Sequence, residues 1–468
     1  MKRLFTTLTV ASLMAMTASA YTLDVTPGAL AGLLPEAVSD GVLLLRGTAD
    51  ARDIVSLSEL PAGVKTLDMS ELKIVELRSS QPVVDGRTYF PADEIPEYSF
   101  FKSAASSIIL PADIRTVGDG AFAHSSLTSI TLPAGLTSMG AYAFYGCSDL
   151  ADVVLPGSLT SLGTGSFGNC PRLGTMDFRP TKVSLLPERV LAGCTTLQDV
   201  KIGASVSSIG SEAFENTAVT ELDLSGVKTL ADFALAGMSR LKSVTLRNGA
   251  SIGKGLLMDD TALQSVEGYP DAVPTLFAAN CRLLNPSDML DSATGVGNYA
   301  FANIGADTLV FGSDLKSVGE RSFAGLDNLQ FIDARALDAR VPDVAENTFA
   351  GINPADVTLY VALATPEIWR DHPVWGEFNV MDDTSVQVPG VSGDASEITI
   401  GIRAGYLMVE APEALESVAI YTADGRTAGL WHPDTPSAAI SLGDLPEGII
   451  LVKASTAGDS RSVKMMTR

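Results

Sequence analysis

Histidine and cysteine are the residues here best suited to general acid–base or nucleophilic chemistry, and the chain has three of one and four of the other. Catalysis of that kind needs a base set beside a nucleophile. Nothing around His124, His372 or His432 supplies such a pair: His124 falls in a turn and the other two each precede proline, so all three read as surface residues. No phosphate loop, dinucleotide fingerprint, zinc signature or nucleophile elbow occurs. Glycine-rich spots such as GDGAF at 118–122 recur with the repeat described below, so they read as turns. The expectation is a protein without catalytic residues, cofactor or metal site.

The cysteines point the same way. Cys147, Cys170 and Cys194 lie three residues after Phe144, Phe167 and Leu191, and Cys281 lies four after Phe277. An even number in an exported chain invites a disulfide framework. Their shared register argues instead for buried thiols filling a small apolar slot, and no Cys-x-x-Cys pair suggests metal ligation.

What remains is acid. The 468 residues carry a formal net charge of −23, with a pI near 4.4, which excludes nucleic acid and anionic membrane surfaces as main partners. At 46% hydrophobic residues, the chain has enough apolar side chains to bury a core, so disorder is a poor account of the acidity.

The elements that must position these acids are repeats. Residues 127–147 read LTSITLPAGLTSMGAYAFYGC and 150–170 read LADVVLPGSLTSLGTGSFGNC. Aligning the chain on the Phe position, from Phe100 through Phe122, Phe144 and Phe167 to Phe349, gives about twelve copies of 20–26 residues. The period predicts a β-rich solenoid in which the first apolar run of each copy adds one strand to a parallel ladder. Ile130 would lie on Val153, and the Phe side chains would form an interior spine. Gly118, Gly140, Gly163 and their equivalents close the second run, where a tight turn predicts an unusual backbone angle.

Side chains alternate across a strand, so each copy presents two outward columns. One runs Ile109, Thr131, Val154, Asp177, Lys201, Asp223, Thr245, Glu267, and the other Ser107, Ser129, Asp152, Thr175, Asp199, Glu221, Ser243, Ser265. Asp152, Asp177, Asp199, Lys201, Glu221, Asp223 and Glu267 are therefore the candidate binding residues. Lys201 would bridge Asp177 and Asp223 in a salt-bridge ladder. Asp199 and Glu221 would be like charges side by side, which is unfavourable without a cation or partner. A plain solvated acidic face is the alternative reading.

The ends complete the plan. Lys2 and Arg3, an apolar run to about Thr17 and Ala18-Ser19-Ala20 predict a signal peptide over 1–20, cut before Tyr21. Residues 21–98 read as an N-terminal cap and 99–382 as the array, closed by Trp369, Trp375 and Phe378. Irregular spacing near 268–298 predicts curvature or an inserted loop. Residues 383–397 read as a linker and 398–468 as a small β-sandwich, with Asp424-Gly425 as a hairpin turn. No stretch after the leader is apolar for long enough to span a bilayer.

The recurring LP, IG, AF and GC elements over about 98–380 resemble the BspA-like leucine-rich repeat family of bacterial surface proteins, within the 20–29 residues usual for such repeats. LYVA at 359–362 stands where that family has LYVP. The segments IYTADGR (420–426), ISLGDLPEGIILVK (440–453) and SVKMMTR (462–468) resemble the C-terminal sorting domain of the type IX secretion system of Bacteroidetes, with Ile450 in place of an aromatic. The resemblance implies an exported protein, secreted or on the outer-membrane surface, that adheres to protein or glycan ligands of host or bacterial surfaces. A glycan- or calcium-dependent binding module working at Asp177, Asp199, Glu221 and Asp223 is the alternative.

Overall fold

The computed structural model describes residues 20–38, 41–337, 340–362, 365–382, 398–403, 406–422, 426–441, 443, 445, 448–457 and 460–467. The expected leader (save Ala20), the linker and the Asp424-Gly425 turn lie outside these residues. The chain divides into two compact units, residues up to 284 with 300–304, and residues 285–299 with 305 onward.

The first unit is a parallel β-solenoid. Its ladder begins with Tyr21–Val25, Val42–Ala49 and Thr66–Ile74 and continues through Ser107–Ile109, Ser129–Thr131 and Asp152–Val154 in one six-stranded sheet. Val153 pairs with Ile130, and Ile130 with Ile108, in parallel register. Alternation puts Ile108, Ile130 and Val153 inside and Ile109, Thr131 and Val154 outside. Proline after the strand ends it, because it has no N–H to donate; the Pro133 carbonyl then accepts from Leu136 N–H at 3.0 Å to close the turn.

From Glu94–Ile95 to Ser251–Ile252 the turns carry a second short strand, such as Ser138–Met139, paired in parallel with Thr116–Val117 and Ser161–Leu162. On the third side, backbone N–H groups near the Phe reach one turn forward, as Phe122 to Ala143 and Phe144 to Ser166, both at 2.8 Å. The spine is present: Phe100, Phe122, Phe144 and Phe167 are fully buried, with ring centroids 5.0, 4.9 and 5.4 Å apart and nearly parallel planes. All four cysteines are buried free thiols. Three sit directly in this stack, where Cys147, Cys170 and Cys194 donate to the carbonyls of Phe122, Phe144 and Phe167 at 3.1 Å.

The glycines that close the second run serve a different purpose from the one their position suggests. Gly140 is not left-handed; a Cβ there would stand 2.6 Å from Asp119 N and 2.7 Å from Gly118 C of the preceding turn. Close approach of backbones excludes a side chain at this point. Positive φ falls instead two residues before and after the Phe, at Tyr142 (φ 56°) and Gly146 (φ 70°) around Phe144.

The second unit repeats the pattern with one change. Its first turn carries the α-helix Ser287–Ser292 where a ladder strand is expected, and the strands Thr308–Val310, Phe331–Asp333, Thr358–Val361 and Asn379–Asp382 then pair in parallel. Trp369, Trp375 and Phe378 are buried, with Phe349 packing edge-on against Trp375 at 5.3 Å and Phe378 at 4.9 Å. With eleven ladder strands in the first unit, and a helical turn and four strands in the second, the turns number about 16. The expected twelve is thus too few. The Phe alignment misses turns at both ends, where the strand pattern persists but the Phe does not.

Residues from 398 onward form two antiparallel sheets. Leu415–Thr422 pairs with Thr427–Trp431 and Gly448–Thr456, and the latter with Ser460–Thr467. Thr399–Arg403, Tyr406–Glu410 and Ser437–Ser441 form the second sheet. One hydrophobic cluster, including Ile400, Leu407, Val409, Val418, Ile420 and Val452, draws on both.

Candidate binding surface

The outward columns form as the alternation requires. Thr175 is opposite Asp199 and Asp177 opposite Lys201, while Glu221, Ser243 and Ser265 align in one column and Asp223, Thr245 and Glu267 in the next. Asp152 faces outward opposite Ser129. Of the seven candidates, Asp177 is half-buried and the rest are exposed.

The ladder is not continuous beneath them. Thr175–Asp177 and Asp199–Lys201 form a two-stranded sheet, and Glu221–Leu224 opens a separate sheet of three. At the equivalent step in neighbouring turns, Gln198 N–H donates to Gly174 O at 3.0 Å and Lys242 N–H to Thr220 O at 2.8 Å. Among the described residues, no backbone hydrogen bond joins Thr220 N–H to Gln198 O. A cleft of about 670 Å3 lies at this interruption, lined by Arg179, Gln198, Asp199, Lys201, Thr220, Glu221, Asp223, Ser243 and Thr245 together with the apolar Val200, Ile202 and Leu222. It brings together four of the seven candidates and leaves Asp152, Asp177 and Glu267 outside its lining.

The ion pairs differ from the expected ladder. Lys201 Nζ turns along its own strand to Asp199 Oδ1 at 2.7 Å. Asp177 is taken by Arg179, whose Nε and Nη2 reach its two oxygens at 3.0 and 2.7 Å and whose N–H donates to Oδ1 at 2.9 Å. The guanidinium holds the Asp177 carboxyl below the usual carboxylate range and is itself raised by it. Asp223 accepts from Ser225 N–H at 2.9 Å, and hydrogen bonding from Ser225 lowers its pKa as well. Lys201 thus neutralises Asp199, which removes part of the repulsion expected between Asp199 and Glu221. Glu221 and Asp223 have no cation within ion-pair distance among the described residues. Thr245 Oγ1 donates to Glu267 at 3.4 Å.

Arg179 is the residue the outward-column argument missed, because it follows the strand. Its signal is the Asp-x-Arg spacing at a strand end, which recurs at Asp333 and Arg335 with the same two-pronged pairing. The histidines stand apart from this surface in sequence and chemistry. His124 packs edge-on between Phe101 and Tyr145. His372 Nδ1 accepts from Val374 and Trp375 N–H, so it is a half-buried structural residue and not a free surface one. His432 Nδ1 lies 2.7 Å from Glu416 O. Among the described residues no group of three His, Cys, Asp or Glu could hold a metal ion, and no helix is long and apolar enough to cross a membrane.

Parallel strands, stacked Phe and an exposed ladder face together define a leucine-rich repeat solenoid. The chain belongs to the BspA type leucine rich repeat region family, which matches residues 93–184, 179–276 and 273–363. Among solved structures, a leucine-rich repeat protein from Bacteroides ovatus ATCC 8483 shares the fold at 20% identity, with 77% of this chain and 92% of that one covered and a TM-score of 0.54. A leucine rich cell surface protein from Faecalibacterium prausnitzii A2-165 is similar at 22% identity over 66% of this chain and 88% of that one, with a TM-score of 0.40. No curated protein matches the chain.

Proposed function

We propose that this chain is a non-catalytic binding protein of the cell surface, exported and adhering to protein or glycan ligands through the outward face of its ladder. The observation that carries this reading is the ladder itself, where outward side chains are held in register while Met176, Val200, Leu222 and Val244 between them are turned inward. Broad ordered faces of this kind are what solenoids use for recognition. Family membership supports a binding role, and the Faecalibacterium protein is described as a cell surface protein.

In this reading residues 1–20 are a cleaved leader, 21–98 cap the array, 99–382 present the face, 383–397 link, and 398–468 form a small β-sandwich for sorting or attachment. Two antiparallel sheets sharing one core support the sandwich. Two experiments test the proposal. Purified chain is used to capture partners from host-cell and bacterial surface extracts, beside a variant with Asp152, Glu221, Asp223 and Glu267 changed to the amides. Capture that is equal for both proteins rejects the face. Deletion of residues 395–468 is expected to retain the protein in the periplasm, and unaltered surface display rejects the sorting role.

A further inference from the structure

We infer that the cleft at the ladder interruption is a docking site for an extended, arginine-bearing peptide segment of a partner protein. This rests on the reading of the ladder as a binding face and names the chemistry that one part of it recognises. The two cations lining the cleft are already engaged, Arg179 with Asp177 and Lys201 with Asp199. Glu221 and Asp223 are exposed on one strand with no cation of their own. Their side of the cleft is therefore uncompensated negative charge, and a partner must bring the positive charge. A guanidinium is the fitting cation, since its planar fork can be shared between carboxylates.

The interrupted ladder says that the cation comes on a peptide. Thr220 N–H and Gln198 C=O, paired to one another's equivalents in adjacent turns, are not joined across the cleft. An extended chain carries a carbonyl for the first and an N–H for the second, whereas a polyamine has no acceptor to offer. Alternate side chains of an extended peptide project to the same side about 6.8 Å apart, the same repeat that separates Glu221 from Asp223 along their strand.

The test uses the full chain and a fluorescein-labelled (Arg-Ser)4 peptide followed by anisotropy, with (Gln-Ser)4 and spermine as comparators. The Arg peptide is expected to bind at least tenfold more tightly than the Gln peptide, and at least threefold more weakly at 300 mM than at 50 mM salt. Glu221→Gln with Asp223→Asn is expected to weaken it at least tenfold, and Asp113→Asn, exposed in the turn where Ile114 N–H donates to Pro111 O and outside both the cleft and the candidate binding residues, to leave it within twofold. Both sets of changes are at exposed positions, and unchanged melting temperatures show that folding is intact. Equal binding by the double variant overturns the inference. So does an equal loss on Asp113→Asn, which indicates general acidity, and so does spermine displacing the peptide as well as unlabelled Arg peptide at equal charge. Surface capture that survives the double variant but fails in the four-site variant leaves the face reading standing and removes this one. Tight, cleft-dependent binding of the Arg peptide without surface capture does the reverse.

Discussion

Phe144 is the position where the packing argument can be tested hardest. Its ring is fully buried between Phe122 and Phe167, at centroid distances of 4.9 and 5.4 Å and interplanar angles of 7° and 4°. Phe144→Ala removes the ring and two stacked pairs. A buried Phe→Ala costs about 3–5 kcal/mol, with the spread set by how far the site can collapse. Collapse is restricted here, because the flanking turns are pinned by Phe122 N–H to Ala143 O and Phe144 N–H to Ser166 O, each at 2.8 Å. Each aromatic pair adds about 0.5–1.5 kcal/mol beyond its area, so the upper half of the range, about 4–5 kcal/mol, is expected. Urea unfolding followed by far-UV circular dichroism measures it, with Val154→Ala as control, since Val154 points outward and is 70% exposed; that change should stay within about 0.5 kcal/mol. A repeat array need not unfold in one step, so the first transition is the one to compare. A loss below about 1 kcal/mol at Phe144, or an equal loss at Val154, refutes a load carried by the interior stack.

Three further outcomes follow from particular side chains. Asp260 is buried, accepts from Met238 N–H at 2.7 Å through Oδ1, and has no partner for Oδ2; burial raises its pKa well above the ordinary value. A raised carboxyl binds its proton more tightly in the folded than in the unfolded state, so it stabilises below the unfolded pKa and that contribution is lost as pH rises toward the folded one. Asp260→Asn keeps the acceptor and is expected to raise the melting temperature at pH 7 and to flatten the stability profile above pH 4; an unchanged profile refutes the assignment. Gly140→Ala places a methyl 2.6 Å from Asp119 N and is expected to cost about 1–3 kcal/mol as an overpacked site, whereas an unchanged melting temperature would show that the turns can separate there. The four thiols are fully buried, so native protein should react negligibly with a thiol reagent such as DTNB and denatured protein with four equivalents; rapid native labelling contradicts the sealed stack.

The periodicity of the chain was enough to determine the local rules. Alternation around Ile130 and Val153, the Phe and Cys that follow, and the Pro that ends the strand are each short-range signals repeated at one spacing, so they identify the parallel ladder, the inward spine and the outward columns without coordinates. They undercounted the turns because the strand-forming pattern in 21–74 and after Phe349 runs on without the Phe that marks a copy. They also attributed Gly140 to backbone conformation. Contact between successive turns is a distance between residues about 22 positions apart, and only the folded chain reveals it.

The binding face was legible in outline and not in detail. Outward position follows from alternation alone, so Asp199, Lys201, Glu221 and Asp223 could be named as neighbours from the sequence. Which charges pair could not, because Lys201 can swing along its strand to Asp199 or across it to Asp177, and Arg179 reaches back from beyond the strand end to take Asp177. The interruption between Lys201 and Glu221 was equally invisible, since both flanking strands carry the full apolar pattern. Sequence settled what points inward and outward, which depends on the residue's own strand. Tertiary structure decided which outward charges remain unpaired and where the ladder opens, because both depend on how one turn meets the next.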